Sequence, residues 1–444
     1  MSLHRYLPQT EQDIAAMLAD CHAKALDDLY CDVPTELRLK QPYDLPAEMS
    51  EKEVRDFFAK MRANCSTLTC FGGAGFYDHY SPAVINSIIS RSEFLTAYTP
   101  YQPEISQGTL QYIFEYQSMM TALTGLEVSN ASMYDGATAT AEAMMMCVAA
   151  ARKKNRVLIS ATVNPMVADV VRTYARYHKV TLEVIPEKDG VTSVEAFHEM
   201  MGAGDVAGVI VAAPNFYGIV EDYTGWAEYC HERKALLVMN CQASALAAIK
   251  TPGEWGADIA VGDAQSLGMP LNYGGPYLGY MCTTKALIRK MPGRIVGATK
   301  DEKGNRVFVL TLQAREQHIR REKATSNICS NQGLMALYAT IYLSLMGPKG
   351  MQDVNALSCD GAHYLAAELA ATGKMQLAYA DKPFLHEFLM KLAPGVTADA
   401  VIAKAMEAGI FAGVKLADDL LLIAVTEMQS KADMDKYVSL VKSL

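Results

Sequence analysis

The sequence predicts an α/β protein built on a mainly parallel sheet with helices on both faces. Three observations carry this expectation. Short apolar runs recur from Val128 onward with helical segments between them. Half of the 444 residues are hydrophobic and only 20% are charged, enough material for a large buried core. A glycine turn at Gly136 leads from a strand into an Ala-rich helix.

Along the chain, Thr10 with Asp13 forms a capping-box pattern, and Ile14, Leu18, Cys21, Ala25 and Leu29 follow at helical spacing. Ser50 with Glu53 repeats the signal and opens a second helix with Val54, Phe57, Phe58 and Met61 on one face. The Pro34–Pro46 stretch between them reads as an extended connection. Residues 1–65 are thus a helical arm that clasps the main body or a partner. Helices are expected over Gly108–Thr124 and Gly136–Ala151. Strands are expected at Val128–Tyr134, Arg156–Ser160, Val180–Ile185, Val206–Ala212, Ala235–Met239, Asp258–Val261 and Tyr277–Cys282. Lys300–Arg306 is a polar turn, and the helical run Gln332–Leu345 closes at Gly347-Pro348. Residues 66–345 would form the large α/β domain. Residues 346–444 would form a smaller α/β domain with a helix to Ala371, strands near Phe384–Met390 and Leu420–Val425, and helices from Thr397 and Ser430.

Composition removes several functions. With 49 acidic and 40 basic side chains the net charge is −9, and no long Lys/Arg block exists, so nucleic acid and anionic membrane are not expected partners. No apolar run reaches the roughly 18 to 20 residues that span a bilayer. The opening Met1–Arg5 leads into polar Gln9–Asp13 instead of an apolar signal core, which predicts a cytoplasmic protein. The ten cysteines are scattered without a Cys-x-x-Cys pair and read as reduced thiols. Cys65 and Cys70 have no partners at ligand spacing, so no metal site is expected.

Ser132–Ala143 runs from strand through glycine turn into helix, a geometry that aims backbone N–H groups and the helix dipole at an anion. Gly136, Ala137 and Thr138 are therefore candidate anion-binding residues, or an ordinary helix start satisfied by its own cap.

The segments Tyr98–Leu110 (Tyr-Thr-Pro-Tyr-Gln-Pro-Glu-Ile-Ser-Gln-Gly-Thr-Leu), Asn130–Thr138 and Arg315–Cys329 are long and unusual. They resemble the P-proteins of the glycine cleavage system, the glycine dehydrogenases (decarboxylating), and the likeness extends over essentially the whole chain. It is strongest to the alpha, or N-terminal-half, chains of P-proteins split into two subunits. The resemblance implies the type I fold of pyridoxal-phosphate (PLP) enzymes, with a seven-stranded large domain and a small C-terminal domain. It also implies a homologous beta subunit carrying PLP, glycine as substrate, and transfer of the aminomethyl group to the lipoyl arm of the H-protein. An assembly of two alpha and two beta chains is the implied form.

The chemistry such a fold needs is missing from this chain. An acid opposite the pyridine nitrogen would end the strand Leu236–Met239, but Asn240-Cys241-Gln242 stands there, and a neutral amide cannot stabilise a pyridinium by charge. No lysine lies between Lys250 and Lys285, so Gly262–Pro276 keeps the glycines of the family's loop without the nucleophile. No arginine follows Arg321, so the small domain lacks the planar guanidinium clamp for a substrate carboxylate. Lys250 and Lys285 read as solvated ends of structural elements. The chain is expected to carry no cofactor of its own and to be inactive alone.

Residues able to reach a shared site are His79 and Tyr80, with Tyr98, Tyr101, Gln102, Glu104 and Gln107 in a proline-stiffened segment. The same side chains suit a subunit interface that satisfies them mutually. Gly72–Gly75 reads as a hinge. Arg315, His318, Arg320, Arg321 and Lys323 form either a plain charged face or a docking element for the acidic lipoyl protein. Two other functions compete: a self-sufficient PLP enzyme acting on another small amino acid through Lys250 or Lys285, and a non-catalytic scaffold or regulator of a PLP enzyme.

Overall fold

A computed structural model describes residues 6–41, 43–202, 204–313, 317–324 and 326–444. Met1–Arg5 and Arg315 lie outside the described residues, as does the side chain of His318. The chain divides into two compact units, 1–66 and 67–444.

In the first unit, helix α1 (Glu11–Asp20) starts at the Thr10/Asp13 capping box and α2 (Glu51–Ala63) at the Ser50/Glu53 box, each satisfying two orphan backbone donors reciprocally. The first helix is shorter than its periodicity suggests. It stops at Asp20 because His22 takes a left-handed φ of 55°, and Leu26–Tyr30 forms only a 3-10 turn. None of the described residues of this unit is buried, and Phe57 and Phe58 of α2 are 51% and 60% exposed.

The second unit is organised by a seven-stranded sheet. Its strands are β1 (Val128–Ser129), β2 (Arg156–Ser160), β3 (Thr181–Ile185), β4 (Val206–Ala213), β5 (Leu236–Cys241), β6 (Ile259–Asp263) and β7 (Gly279–Thr283). They lie in the order β3-β2-β4-β5-β6-β7-β1, parallel from β3 to β6, with β7 antiparallel to both neighbours. The strands are apolar on both faces because both are covered. Val157, Ile159, Ile210 and Val238 meet Met144 and Cys147 on one side, while Leu158, Val209, Val211, Leu237 and Met239 meet Phe197, Tyr223 and Trp226 on the other. Phe197 stacks on Trp226 with ring centroids 3.8 Å apart.

The run expected to be a strand from Val128 to Tyr134 forms a strand only at Val128–Ser129 and touches the sheet again at a single bridge, Met133 with Gly279, since Ser132 adopts φ 141° and Ala131 N–H turns to the carbonyl of Arg294. The polar turn at Asp301–Asn305 proves to close an antiparallel hairpin, Ile295–Lys300 with Arg306–Thr311.

Helix α3 (Gln107–Thr124) ends on Gly125 at φ 70°, and α4 (Gly136–Ala151) begins on the Asp135 cap. Asn164 caps α5 (Pro165–His178), whose first residue is proline. The long helix α6 (Gly333–Ala371) is interrupted where the sequence expects, at Gly347 (φ 59°, ψ −177°), and restarts on Pro348. Its second half packs with α7 (Ala398–Glu407) and α8 (Lys431–Lys442) on a four-stranded antiparallel sheet: β8 (Met375–Leu377), β9 (Glu387–Leu392), β10 (Val414–Ala417) and β11 (Leu420–Ala424), ordered β8-β9-β11-β10. Thr69-Cys70 pairs in parallel with Ile410-Phe411. That pairing lays the glycine-rich segment Gly72–Gly75 against β9, where a Cβ on Gly73 would come within 2.1 Å of Glu387 Oε1. No described helix is long and apolar enough to cross a membrane.

The central strand β4 is buried along all eight residues, so truncating it leaves a cavity that the rigid sheet cannot collapse. Ile210→Ala is expected to lower the unfolding free energy by about 2–5 kcal/mol, read from urea denaturation followed by far-UV circular dichroism.

Candidate functional site

The carboxyl ends of β4, β5 and β6 and the start of α4 enclose a cavity of about 440 Å³, where ligands of open α/β sheets bind. Its lining includes Asp135, Gly136 and Ala137 at the head of α4, Asn240 and Gln242 beyond β5, and Asp263 at the end of β6. Phe76, Tyr77, Asn164, Phe216, Tyr277 and Glu387 close the remaining walls.

The head of α4 is held by carboxylates. Asp135 accepts from the Thr138 N–H at 2.8 Å, and Asp263 Oδ2 accepts from the Gly136 N–H at 3.0 Å. Asp263 Oδ1 also accepts from the Gln265 N–H at 2.8 Å. Burial pushes the Asp263 carboxyl up to about 7, against the downward pull of these two donors. Gln265 is wholly buried, and its amide clamps both the N–H and the carbonyl of Tyr77. Asn240 donates to Thr140 Oγ1 at 2.7 Å, so the neutral residue at the end of β5 is spent on α4.

Opposite, Glu387 accepts from the Ala74 N–H at 2.6 Å and from Tyr77 Oη at 2.7 Å. Burial lifts its carboxyl to about 7. His386 beside it is forced neutral, its basicity lowered to about 3 by burial and by the neighbouring His79. His79 is buried and pairs through Nδ1 with Glu427 Oε2 at 2.7 Å, while the Tyr80 N–H donates to Glu427 Oε1. His79 therefore braces the joint between the Tyr77–Tyr80 segment and the chain after β11.

Of the residues expected at a site, Gly136 and Ala137 line the cavity, and Thr138 is tied to Asp135. His79 and Tyr80 do not line it. Tyr98 and Tyr101 are 71% and 74% exposed with ring centroids 6.3 Å apart, and Gln102 and Glu104 are exposed beside them. Gln107 holds the hairpin, exchanging hydrogen bonds with both the N–H and the carbonyl of Phe308. Lys250 lies over the Trp255 ring at 3.7 Å and Lys285 pairs with Glu127 at 3.2 Å, both away from the cavity. Arg320, Arg321 and Lys323 are exposed in two short helical turns.

Sequence reasoning missed Asp263, Glu387 and Glu142. Asp263 stood within Gly262–Pro276, a stretch read for its glycines and its lack of lysine; the strand ending there was the available signal. Glu387 and Glu142 carried no local signal, because their partners Ala74 and Ser326 lie far away in the chain.

Residues 4–441 match the family model described as glycine cleavage system P-protein. The chain belongs to the glycine cleavage system P-protein family. The probable glycine dehydrogenase (decarboxylating) subunit 1 of Geobacillus kaustophilus is 46% identical over 98% of both chains, and that of Moorella thermoacetica is 45% identical over 99% of both. A crystal structure of glycine decarboxylase (P-protein) in inhibitor-bound form superposes with a TM-score of 0.89 at 40% identity, covering 99% of this chain and 100% of that one. At 13% identity and a TM-score of 0.69, Lactobacillus brevis glutamate decarboxylase, covering 93% of this chain and 96% of its own, shares the fold alone. That fold is the type I fold of PLP-dependent enzymes, as expected from the resemblance.

The cavity does not fit PLP. Among the described lining residues there is no lysine to bond the aldehyde and no arginine or histidine to face a phosphate, while three carboxyls are present. A Cβ on Gly136 would stand 2.6 Å from the Asp263 N atom, so the head of α4 is already closed on its neighbour.

Glu142, buried in α4 and accepting from Ser326 Oγ at 2.7 Å, is likewise pushed up to about 7 by burial. An acid whose folded pKa lies above its unfolded value of 4.5 binds more protons folded than unfolded, so its contribution to stability falls as pH rises from about 4.5 to 7. Glu142→Gln keeps an acceptor for Ser326 and removes that loss. Relative to the parent, it should gain on the order of 2 kcal/mol in unfolding free energy between about pH 5 and pH 8, measured by urea denaturation at both values.

Proposed function

We propose that this chain is the alpha subunit of a two-chain glycine decarboxylase whose PLP is carried by a homologous beta subunit. Together the two decarboxylate glycine and transfer the aminomethyl group to the lipoyl arm of the H-protein. The observation that carries this reading is a full-length match to proteins named subunit 1, combined with a cavity whose lining, among the described residues, has no lysine, arginine or histidine. PLP bound on the partner supplies the electron sink for decarboxylation. This chain completes the folded pair and shapes the entrance.

Its contribution rests on exposed groups. Tyr98 and Tyr101, with Gln102 and Glu104, form a polar aromatic patch joined to the cavity rim: Ser330 Oγ donates to Tyr98 Oη, and the Cys329 N–H donates to Tyr134 Oη, whose residue lines the cavity. Aromatic residues of this kind suit the core of a subunit interface, where they add apolar area with a polar tip. The arm 1–65, with the exposed apolar face of α2, is assigned to clasp the beta subunit in a cytoplasmic assembly of two alpha and two beta chains.

The purified chain should catalyse no exchange of labelled bicarbonate into glycine in the presence of PLP and lipoylated H-protein. Exchange should appear on mixing with the beta chain and co-elute with the complex in size-exclusion chromatography. Exchange by this chain alone, or undiminished exchange by the beta chain without it, would overturn the assignment.

A further inference from the structure

We infer that Glu387 is a proton-operated clasp, holding the Gly72–Tyr77 strap shut across one wall of the cavity while its carboxyl is protonated and letting the strap open once the proton leaves. The inference concerns this chain alone and does not depend on which subunit carries the cofactor.

The strap crosses from the four-stranded sheet to the end of β6. The Phe71 N–H donates to the Phe411 carbonyl and the Ala424 N–H to that of Phe71, while Gln265 grips the Tyr77 peptide. Between these ends Gly75, Phe76 and Tyr77 line the cavity. Ala74 sits at φ 61°, a left-handed conformation that a residue with a Cβ keeps only where its surroundings hold it. Here Glu387 Oε1 holds it, 2.6 Å from the Ala74 N atom, together with Asn164 on the Ala74 carbonyl. Asn164 and Gln265 are neutral amides and do not respond to pH. Glu387 is an acid.

Its surroundings make the proton decisive. Glu387 is 3% exposed, and its two partners, the Ala74 N–H and the Tyr77 hydroxyl, are both neutral. Among the described residues of the lining, no lysine, arginine or histidine faces it. His386, its neighbour on β9, is kept neutral by burial and by His79, and His79 is spent on Glu427 after β11. Tyr217, beside the Gly218 turn that packs on Glu387, bonds Glu187 through its hydroxyl. Asp78 next to Tyr77, and Asp135 and Asp263 across the cavity, add only negative charge.

Protonated, Glu387 can give its O–H to Tyr77 Oη while Oε1 still accepts from Ala74, so both contacts survive with the hydroxyl reversed. Ionised, it is a buried anion held by two neutral donors, and opening the strap returns it to water. Burial lifts the closed carboxyl from 4.5 to about 7, so between these values the closed form keeps the proton and the open form does not. Opening then releases a proton, and its equilibrium constant rises with pH by up to about tenfold per unit before levelling above about pH 7.

The test is amide hydrogen exchange of the full chain, followed by mass spectrometry from about pH 5 to about pH 8 and corrected for the intrinsic pH dependence of exchange. A peptide covering Phe71–Tyr77 reports the strap, and the buried strand Val206–Ala213 reports global unfolding. Relative to that strand, strap opening should increase at least about tenfold between about pH 5 and pH 7 and little further by about pH 8. Glu387→Gln, whose amide supplies the donor and acceptor of the protonated acid, should keep the strap closed across the range. Tyr77→Phe, which takes one donor from the anion, should carry the rise to higher pH, and it decides the matter if the glutamine variant fails to fold. Strap opening that stays flat with pH in the parent, that rises equally in a folded glutamine variant, or that is unshifted in the phenylalanine variant defeats the inference.

Discussion

Gly136 allows the first turn of α4 to reach the end of β6 so closely that Asp263 can accept its leading N–H, and much of the site's architecture depends on this contact. It fixes the helix that covers β2, β4 and β5, which places Thr140 to accept from Asn240. From the same strand end, Gln265 grips the Tyr77 peptide. Tyr77 in turn donates to Glu387, so a path of hydrogen bonds runs from the central sheet to the four-stranded sheet. The walls of the cavity are coupled through side chains that are fully partnered, which makes the cavity a built feature and not a packing defect.

The electrostatics of this arrangement separate fold from chemistry. In a PLP enzyme of this fold, the cofactor's phosphate and pyridinium supply charges that the protein answers with donors, a lysine and an acid. Here the donors are answered internally. Asp135 and Asp263 satisfy the start of α4, Glu387 satisfies the glycine-rich segment, and Asn240 is neutral where an acid would stand. Burial makes Asp263 and Glu387 weak acids, both near 7, which softens the cost of placing these two beside one cavity.

The secondary structure was largely legible in the sequence because its causes are local. Capping residues at Thr10, Ser50, Thr397 and Ser430 start helices wherever the chain is otherwise free, and Gly347-Pro348 interrupts α6 whatever surrounds it. Short runs such as Arg156–Ser160 and Val206–Ala213 announced strands covered on both sides. The errors fall where tertiary pairing outweighed propensity. Ser132 leaves the strand to let the segment bond Arg294 and receive Gln332 and Asn331, and the Ile295–Thr311 hairpin forms against α3 through Gln107 and Gln117.

By itself the sequence determined the α/β class, most of its strands and helices and the family likeness, and it holds no lysine between Lys250 and Lys285 and no arginine after Arg321. These are statements about residue types and periodicities, and they hold without coordinates. Only the tertiary structure decided where the buried carboxyls act. Asp263 lies 127 residues from Gly136, Glu387 lies 313 from Ala74, and Glu142 lies 184 from Ser326. No local pattern relates such pairs. Their roles exist only once the parallel sheet aligns its carboxyl ends and the chain before α3 is drawn against β9, because a hydrogen bond depends on distance and direction in space.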